Sequence, residues 1–506
     1  MEFQPTGKKA LTEGIFLEKM SGYIINMMKE RMICVVPMTA KEICEAVSGK
    51  MLAGDPESII TDICIDSRQA GPGSLFVPII GEKVDAHKFI AQVLAGDASA
   101  VLMSHGDVSY PEKVHIEVTD TVKALGDLAA FYRRKFSMPT IGITGSVGKT
   151  STKEMIAAAL EVKYPILKTA GNQNSQIGVP LTLFRMEPSQ KLAVIEMGIS
   201  EYGEMENLVR FVQPDMAVVT NIGEAHIAQF GAKENTAREK LKIAMNFGEG
   251  QMLFLNGDDA LLRAAAPGQK EKCPVILYGT AADCDYRAED IHIRDGKNCF
   301  TLVCPEGREE IVINQLGIHN VYNALVAIGV AARFGILPKE AKAGLAAYEG
   351  IAMRQQINHL RDGIKVIDDT YNASPASVKS GVDVLMQLDN KGRKIAVLGD
   401  ILELGEISGQ CHFDLGMDIG DSGIDEVVTV GREMQALAAG VQRKNPAVIV
   451  HSFMSNEEAS AYLTENIRGG DAVLVKGSRG MHEEEVVAAL RCAFRQEDGN
   501  VQDSSC

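Results

Sequence analysis

Residues 140–150 of this chain read TIGITGSVGKT, an apolar stretch that runs into a glycine-punctuated turn and then into a helical pattern. Such a turn presents backbone N–H groups and a helix N-terminus to an anion, while a following lysine neutralises the outer phosphates of a nucleotide. The strict G-x-x-x-x-G-K-[ST] pattern is not met, because Ile143 stands at its first position. We therefore predict a variant phosphate-binding loop, against the alternative of an ordinary strand–turn–helix. Its candidate nucleotide contacts are Gly145, Ser146, Gly148, Lys149, Thr150 and Ser151.

Two further apolar stretches end in residues able to serve a metal. LAVIEMG ends near Glu196, and MAVVTNIGEAH ends near His226. The carboxyl ends of parallel strands share one edge of a sheet, so we expect both side chains to flank the phosphate loop. Mg²⁺ prefers oxygen ligands, which suits Glu196 and the Thr150 hydroxyl and makes a histidine the unusual ligand. Taken alone, His226 would be interpreted as structural.

Composition predicts a large cytoplasmic enzyme. At about 150 residues per domain, the 506 residues suggest roughly three domains, and 46% hydrophobic residues suffice for several cores. A net charge of −16 argues against a nucleic-acid-binding protein. Ten cysteines without a C-x-x-C pair resemble neither a disulfide framework nor a zinc site, which fits a reducing compartment. Neither a membrane-spanning apolar run nor a signal-peptide core is present, so we expect no membrane insertion.

Periodicity divides the chain into five segments. They are an N-terminal extension (1–37), a mixed α/β unit (38–136), a central βαβ unit (137–350), a second open α/β unit (351–495) and a polar tail predicted to be disordered (496–506). The extension is interpreted either as an added helix or as the product of an upstream start.

Alternating strand and helix patterns define the two larger units. The central strands are predicted at TIGIT, LAVIE, MAVVT, MLFLN and PVILY, and those of the last unit at KVIDD, KIAVLG, EVVTV, AVIVH and AVLVK. Within the central unit, residues 285–314 are predicted to form an antiparallel insert. In the first unit, we expect a capped helix at 39–47.

The order and spacing of several motifs carry a family resemblance over residues 38–495. The motifs are DSRQAGPGSLFVPI, GITGSVGKTSTKEM, GNQNSQIGVPLTL, EMGISEYGEM, TNIGEAH, HNVYNAL, IDDTYNASPAS, LGDILELGE and VKGSRGM. With them the chain resembles the ATP-dependent Mur ligases of bacterial cell-wall synthesis. The resemblance implies a three-domain α/β fold, with a mixed α/β UDP-sugar-binding domain, a central P-loop ATPase domain on a parallel sheet and a C-terminal Rossmann-like domain.

The resemblance implies a two-step amide ligation in peptidoglycan precursor synthesis. ATP activates a carboxylate as an acyl phosphate, which an amine then attacks. The branch favoured by IDDTYNASPAS joins D-alanyl-D-alanine to UDP-N-acetylmuramoyl-tripeptide. Lys149 and one Mg²⁺, held by Thr150 and Glu196, would clamp the phosphates. A second Mg²⁺ would lie near His226 and a carbamylated lysine, for which Lys240 stands at the matching position; on charge pattern alone, Lys240 would be one solvated helix lysine among others.

The resemblance also implies contacts to the nucleotide base and sugar. Asn320 and Asn323 of HNVYNAL stand i, i+3 at a helix start and have the amide groups to contact adenine, although capping is the alternative for Asn320. Arg354 would lie near phosphate and Asp369 near the ribose hydroxyls. Domain closure would then complete the site and exclude water.

Substrate contacts follow from the same resemblance. Ser67 and Arg68 would hold the uridine nucleotide, and Asn172 and Asn174 the muramoyl-peptide, unless the latter form only a turn network. For the carboxylate-bearing dipeptide, the candidates are Tyr371, Asn372, Lys476 and Arg479.

Three alternative functions are compatible with parts of this pattern. A sibling ligase that adds a single amino acid and a folate polyglutamate ligase would share the chemistry, whereas a P-loop nucleotide switch would hydrolyse ATP without ligation. We expect a monomer. The sequence does not distinguish lysine from meso-diaminopimelate as the third residue of the accepted peptide.

Overall fold

The computed structural model describes residues 33–223 and 227–495. Its strands form three sheets of six, nine and six strands. The predictions for most of the N-terminal extension, for His226 and for the tail after Gln496 lie outside the described residues.

Tertiary contacts divide the described chain into two compact units. Unit 1 contains the residues up to Met138, Leu167–Ile195 and Asn207–Gln213; unit 2 contains Pro139–Ile166, Glu196–Glu206 and the residues from Pro214 onward. The domain ranges proposed from the sequence stay a prediction.

The first sheet lies in unit 1. Its elements are β1 (Cys34–Thr39), α1 (Ala40–Ala46), β2 (Lys50–Ala53), β3 (Ile59–Cys64), β4 (Ser74–Phe76), α2 (Ile90–Ala95), β5 (Ala100–Met103), β6 (Val114–Glu117) and α3 (Thr121–Arg133), with a 3₁₀ turn at Ala86–Phe89. The strand order is β1-β3-β4-β5-β6-β2, in which the pairs β1–β3 and β2–β6 are antiparallel and the inner pairs are parallel. The predicted helix at 39–47 is confirmed as α1. Thr39 and Glu42 form a capping box at its start, each bonding the other's backbone N–H at 3.1 and 2.8 Å.

Helix α3 is held both by the segment that follows it and by residues near 212 that are distant in sequence. The Arg133 guanidinium donates to the carbonyls of Val212 at 3.1 Å, Phe136 at 2.8 Å and Met138 at 3.2 Å. Gly126 lies directly against the Phe211 ring, where any larger side chain would collide. These contacts bind residues near 212 into unit 1.

The nine-stranded sheet follows along the chain. Its elements are β7 (Thr140–Thr144), α4 (Lys149–Glu161), β8 (Ile166–Lys168), α5 (Gly178–Leu183), β9 (Leu192–Glu196), α6 (Glu204–Val212), β10 (Met216–Val219), α7 (Ile227–Phe230), α8 (Lys233–Leu241), β11 (Met252–Asn256), α9 (Ala260–Lys270), β12 (Val275–Gly279), β13 (Tyr286–Arg294), β14 (Lys297–Cys304), β15 (Gly307–Ile313), α10 (Ile318–Arg333) and α11 (Pro338–Ala347), with a 3₁₀ turn at Lys242–Ala244. The order is β15-β14-β13-β12-β11-β10-β7-β9-β8. The five predicted strands are confirmed as β7, β9, β10, β11 and β12. The predicted antiparallel insert is confirmed as β13–β15.

The third sheet belongs to unit 2. Its elements are β16 (Gln356–His359), β17 (Lys365–Asp368), α12 (Pro375–Gln387), β18 (Lys394–Gly399), α13 (Ser408–Gly420), β19 (Glu426–Val430), α14 (Met434–Lys444), β20 (Ile449–Phe453), α15 (Asn456–Asn466), β21 (Ala472–Lys476) and α16 (Glu484–Ala493), with 3₁₀ turns at Arg361–Gly363, Gly405–Ile407 and Arg479–Met481. The order is β16-β17-β21-β18-β19-β20, and only β16 is antiparallel to its neighbour. All five strands predicted here are confirmed.

The two faces of this sheet are covered by different helices. Alternate strand residues pack either with α12, α13 and α14 or with α15 and α16. The neighbouring strands β18 and β21 are therefore followed by helices on opposite faces, an arrangement that opens a crevice at their carboxyl ends. Ligands of open α/β sheets bind in such crevices.

Across the described ranges, none of the helices has the length and apolar character that a membrane crossing requires.

Candidate functional site

The predicted phosphate-binding loop connects β7 to α4 in unit 2. Gly148 is the N-cap of α4 with a φ of 84°, and Gly145 has a φ of 150°. A Cβ atom at Gly145 would collide with the Thr220 hydroxyl, so this close approach requires glycine. Among the described residues, no side chain caps the start of α4, which leaves its first backbone N–H groups available to an anion. The local geometry is that of a phosphate cradle.

Hydrogen bonds to the segment after β10 hold this loop in shape. The Val147 N–H donates to Asn221 Oδ1 at 2.9 Å, and Asn221 Nδ2 donates back to the Val147 carbonyl at 2.9 Å. Thr220 Oγ1 donates to the same carbonyl at 2.7 Å, and the Gly223 N–H donates to Ser146 Oγ at 2.8 Å. The cradle is therefore preorganised by the protein itself.

Lys149 and Glu196 lie within electrostatic range of each other. The Lys149 ammonium donates to the Gly145 carbonyl at 2.9 Å. Desolvation lowers the Lys149 pKa, an effect that the Glu196 carboxylate opposes and the Arg354 charge reinforces. Glu196 ends β9 and is buried, as is Thr150 beside Lys149. The structure thus brings together a cation and two oxygen donors at one sheet edge.

Lys240 is a buried lysine in α8, with 1% of its surface exposed. The alternative of a solvated helix lysine is therefore wrong. Desolvation lowers the Lys240 pKa well below its usual value, and the nearby Lys149 ammonium lowers it further. Glu204 and Glu239 act in the opposite direction. This environment therefore disfavours the charged ammonium form of Lys240.

The neighbouring Lys242 has a different role. Its ammonium pairs with Glu239 at 2.6 Å and Glu206 at 2.9 Å, and these bonds raise its pKa. Glu239 also accepts the Gly203 N–H at 2.8 Å. This network anchors the helix that carries Lys240.

The two asparagines predicted to contact adenine form one polar network on α10. Asn323 Nδ2 donates to Asn320 Oδ1 at 3.2 Å, and the Thr152 hydroxyl donates to Asn323 Oδ1 at 2.7 Å. Asn320 does not cap the helix, since Gly317 is the N-cap and Asn320 Nδ2 donates to the Leu316 carbonyl at 2.8 Å. Both amides therefore share one face of the helix and connect it to α4.

Arg354 and Asp369 lie at the start of the third sheet. The Arg354 guanidinium stacks over the Tyr371 ring, with its carbon 4.0 Å from the ring centroid. Asp369 is buried and pairs with Lys476, whose Nζ lies 2.8 Å from Oδ2. Burial raises the Asp369 pKa, although the Lys476 charge and the Arg354 charge lower it.

The four dipeptide candidates surround the same turn after β17. Lys476 is 2% exposed and also donates to the Asn372 carbonyl at 2.9 Å, so its ammonium points into the protein. Arg479 is half exposed, and its guanidinium reaches Glu484 at 3.1 Å. Tyr371 and Asn372 belong to the turn itself. Of the two cations, Arg479 is the accessible one.

The four remaining substrate candidates lie in unit 1. Arg68 is exposed and forms a 2.6 Å ion pair with Asp66, which follows β3. Ser67 between them is partly exposed. Asn172 and Asn174 lie in the turn after β8, where the Asn174 N–H donates to the Asn172 carbonyl at 2.7 Å.

One cluster with metal-ligand side chains occurs among the described residues, formed by Asp85, His87 and His105 in unit 1. His87 Nδ1 lies 2.7 Å from Asp85 Oδ1, and its Nε2 accepts the Ser104 N–H at 3.1 Å. Both ring nitrogens of His87 are thus used in hydrogen bonds. The cluster therefore joins the segment around Asp85 to the segment that follows β5.

Sequence reasoning missed Glu483, because the run HEEE at 482–485 has the pattern of a solvated turn. Its side chain is 0% exposed and lies against Gly399 and Gly477, at the ends of β18 and β21. Within the described ranges, neither carboxylate oxygen has a hydrogen-bond partner. Burial, reinforced by the charges of Asp400 and its acidic neighbours, raises the pKa of Glu483 to about 8.

The sequence of this chain is similar to known proteins over most of its length. Three family models match in order: "Mur ligase family, catalytic domain" at residues 59–133, "Mur ligase middle domain" at 143–331, and "Mur ligase, glutamate ligase domain" at 353–479. The UDP-N-acetylmuramoyl-tripeptide–D-alanyl-D-alanine ligase of Bacillus subtilis is 37% identical over 90% of this chain and 99% of its own length. The chain belongs to the Mur ligase family.

Solved structures of Mur ligases agree with this assignment. The crystal structure of MurF from Acinetobacter baumannii superposes with a TM-score of 0.82 at 31% identity, covering 90% of this chain and 99% of that one. MurF from Thermotoga maritima, solved in complex with ADP, has a TM-score of 0.76 at 26% identity and covers 85% and 97% of the two chains. The three-domain α/β fold of the Mur ligases is therefore the fold of this chain.

Proposed function

We propose that this chain is a UDP-N-acetylmuramoyl-tripeptide–D-alanyl-D-alanine ligase, acting as a cytoplasmic monomer. The observation that carries the proposal is the convergence in unit 2 of a preorganised loop at the start of α4, a buried Glu196 and a buried Lys240 whose pKa is lowered. The similarity to the Bacillus and Acinetobacter ligases spans nearly the whole length of those proteins and supports the choice of substrates.

The proposed reaction has two steps, the activation of a carboxylate and the formation of an amide. The peptide carboxylate attacks the γ-phosphorus of ATP, forming an acyl phosphate and releasing ADP. The amine of D-alanyl-D-alanine then attacks the acyl carbon, and inorganic phosphate leaves as the amide forms. Phosphoryl transfer depends mainly on positioning and charge neutralisation. In this scheme the loop N–H groups and Lys149 would hold the β and γ phosphates, together with Ser151 in the first turn of α4.

The donor set suits magnesium. Thr150 and Glu196 offer oxygen atoms beside the cradle, and both are buried, which matches the preference of Mg²⁺ for hard oxygen ligands. They would hold a first ion, and His226 and Lys240 a second. Bound Mg²⁺ would neutralise phosphate charge and polarise the transferring group.

Lys240 would serve the second ion as a carbamate. An uncharged amine adds to CO₂ and loses a proton, which turns a cationic nitrogen into an oxygen ligand. The lowered pKa of Lys240 favours the amine that this addition needs. The Glu239–Gly203 bond would hold the helix while Lys240 changes its charge.

The other nucleotide contacts are proposed from the resemblance to the Mur ligases. Asn320 and Asn323 would contact adenine, Arg354 a phosphate and Asp369 the ribose hydroxyls. Lys476 would orient Asp369 through their 2.8 Å ion pair.

The exposed Arg479 would pair with the dipeptide carboxylate, beside Tyr371 and Asn372. In unit 1, Ser67 and Arg68 would hold the uridine nucleotide, and Asn172 and Asn174 the muramoyl-peptide.

The test is phosphate release from Mg-ATP with UDP-N-acetylmuramoyl-tripeptide, with and without D-alanyl-D-alanine, followed by product mass analysis. Release that needs both substrates, with a gain of one dipeptide less water, is the expected result. Release satisfied by a single amino acid would replace the proposal with a sibling ligase, and release indifferent to both would favour a nucleotide switch. Peptides that differ at the third residue would then define its identity.

A further inference from the structure

His319 lies at the start of α10 and joins this helix to two elements of the third sheet region. Its Nε2 donates to the Gln355 side-chain oxygen at 2.9 Å, and its Nδ1 accepts the Ser380 hydroxyl at 2.8 Å. A neutral imidazole offers one donor and one acceptor, so both are used here. Gln355 lies immediately before β16, and Ser380 lies within α12.

The ring is held neutral by its surroundings. Desolvation is the main cause that lowers the His319 pKa to about 4. The Lys476 charge acts in the same direction, and the bond to Gln355 and the Asp383 charge act against it. Protonation would remove the acceptor that Ser380 needs. At physiological pH, His319 therefore keeps both bonds.

The start of α10 is also shaped around this ring. Gly317 has a φ of 87°, and a Cβ atom there would lie 2.8 Å from His319 Nδ1, so the turn requires glycine. The Gly317 N–H donates to the side-chain oxygen of Gln387, at the end of α12, at 3.2 Å. A second bond thus joins the same two elements.

Two of the residues that contact His319 lead to nucleotide candidates. Asn320 is the next residue in α10, and its amide nitrogen lies 3.1 Å from His319 Nε2. Gln355 follows Arg354, whose charge acts on Lys149 in the phosphate loop. One side chain therefore connects the adenine candidates with the guanidinium that acts on the phosphate loop.

We propose that His319 is a positioning residue that couples adenine binding on α10 to the placement of Arg354 beside the phosphate loop. The inference rests on the proposed nucleotide site but not on the identity of the peptide substrates. His319 acts through its neighbours and does not itself touch the reacting atoms.

Hydrogen exchange with a nucleotide probe tests this coupling directly. In the full-length protein, Mg²⁺ with AMP-PNP should protect the amides of the phosphate loop and those of residues 351–356. In His319→Ala, loop protection should persist while protection at 351–356 is lost. Wild-type protection of 351–356 in the variant would overturn the coupling, and no loop protection in the wild type would overturn the nucleotide site together with it.

Kinetics provide a second readout. Each net hydrogen bond contributes roughly a factor of ten or less, so His319→Ala should lower kcat/KM for ATP by about 10- to 100-fold while leaving the KM for dipeptide within about twofold. A fall in kcat with both KM values unchanged would indicate only that a smaller fraction of the variant is folded. That result would overturn the proposal.

Milder variants keep the test decisive if His319→Ala folds poorly. Ser380→Ala and Gln355→Ala each remove one partner and should cause intermediate losses in kcat/KM for ATP. Combined with His319→Ala, Ser380→Ala should add no further loss; an additive loss would contradict a shared bond. The matched control is Lys379→Ala, because Lys379 neighbours Ser380, is exposed and pairs with Asp418. Its kinetics and exchange should match the wild type.

Discussion

Replacing Glu483 with glutamine should stabilise the protein, by an amount that grows with pH. The wild-type carboxyl is 0% exposed, and its oxygens have no hydrogen-bond partner among the described residues. Glutamine keeps the shape and the buried polar atoms but cannot ionise. The substitution therefore isolates the cost of the charge.

The magnitude follows from the raised pKa. The unfolded chain releases this proton near pH 4.5, whereas the folded chain holds it until about pH 8. The free energy of unfolding consequently falls as pH rises from about 4.5 to about 8 and stays level above that range, as far as this group is concerned. At about 1.4 kcal/mol per pKa unit, the ceiling is about 5 kcal/mol, and with local relaxation and water entry we expect about 2 kcal/mol.

Thermal unfolding of the two proteins across pH provides the assay. A difference of about 2 kcal/mol corresponds to roughly 5 °C for a domain of this size, so the melting temperatures should agree within about 1 °C at pH 5 and diverge by about 5 °C at pH 8.5. The control is Glu457→Gln, which removes the same charge from an exposed glutamate of α15 that is not among the groups raising the Glu483 pKa. A difference that does not grow with pH, or one that the control reproduces, would refute the reasoning.

Three further substitutions test the proposed site. Lys149→Ala should reduce kcat by about 10³-fold or more, since one preorganised charge contact contributes about 3–4 kcal/mol to phosphoryl transfer; near-normal turnover at saturating ATP would exclude the phosphate-loop assignment. Lys240→Ala should be inactive and partly restored by added small carboxylates, as measured by phosphate release, and full activity without them would contradict the carbamate. Arg479→Ala should raise the KM for D-alanyl-D-alanine by about tenfold with the KM for ATP unchanged. An effect confined to ATP would move Arg479 to the nucleotide.

The local sequence pattern was sufficient to predict most strands of the fold. The inner strands of the nine-stranded sheet and of the third sheet consist mostly of apolar residues, which is typical of parallel strands buried on both faces. The Thr39–Glu42 capping box is likewise a local signal, and it sets the start of α1. Short strands such as β8 and β16 carry no comparable signal, because their residues are only partly buried.

The burial and the partners of individual charged side chains could not be predicted from the sequence. Lys476 carries the charge expected of a carboxylate-binding residue, but Asp369 and two backbone carbonyls surround its ammonium. Lys240 looks like any lysine in a charged helix, and Glu483 like any glutamate in an acidic run. Each depends on residues far away in the chain that remove it from water, and periodicity contains no information about those neighbours.

Arg133 limits how early unit 1 can finish folding during synthesis. Its Nε bond to the Val212 carbonyl joins residues that are 79 positions apart. A ribosome that adds 5–20 residues per second needs roughly 4 to 16 s to make that stretch. Until then, the buried guanidinium lacks one acceptor and Gly126 lacks the Phe211 ring that covers it. A fragment ending at residue 138 would therefore resemble a nascent intermediate, and recombinant expression of unit 1 should continue to at least residue 213.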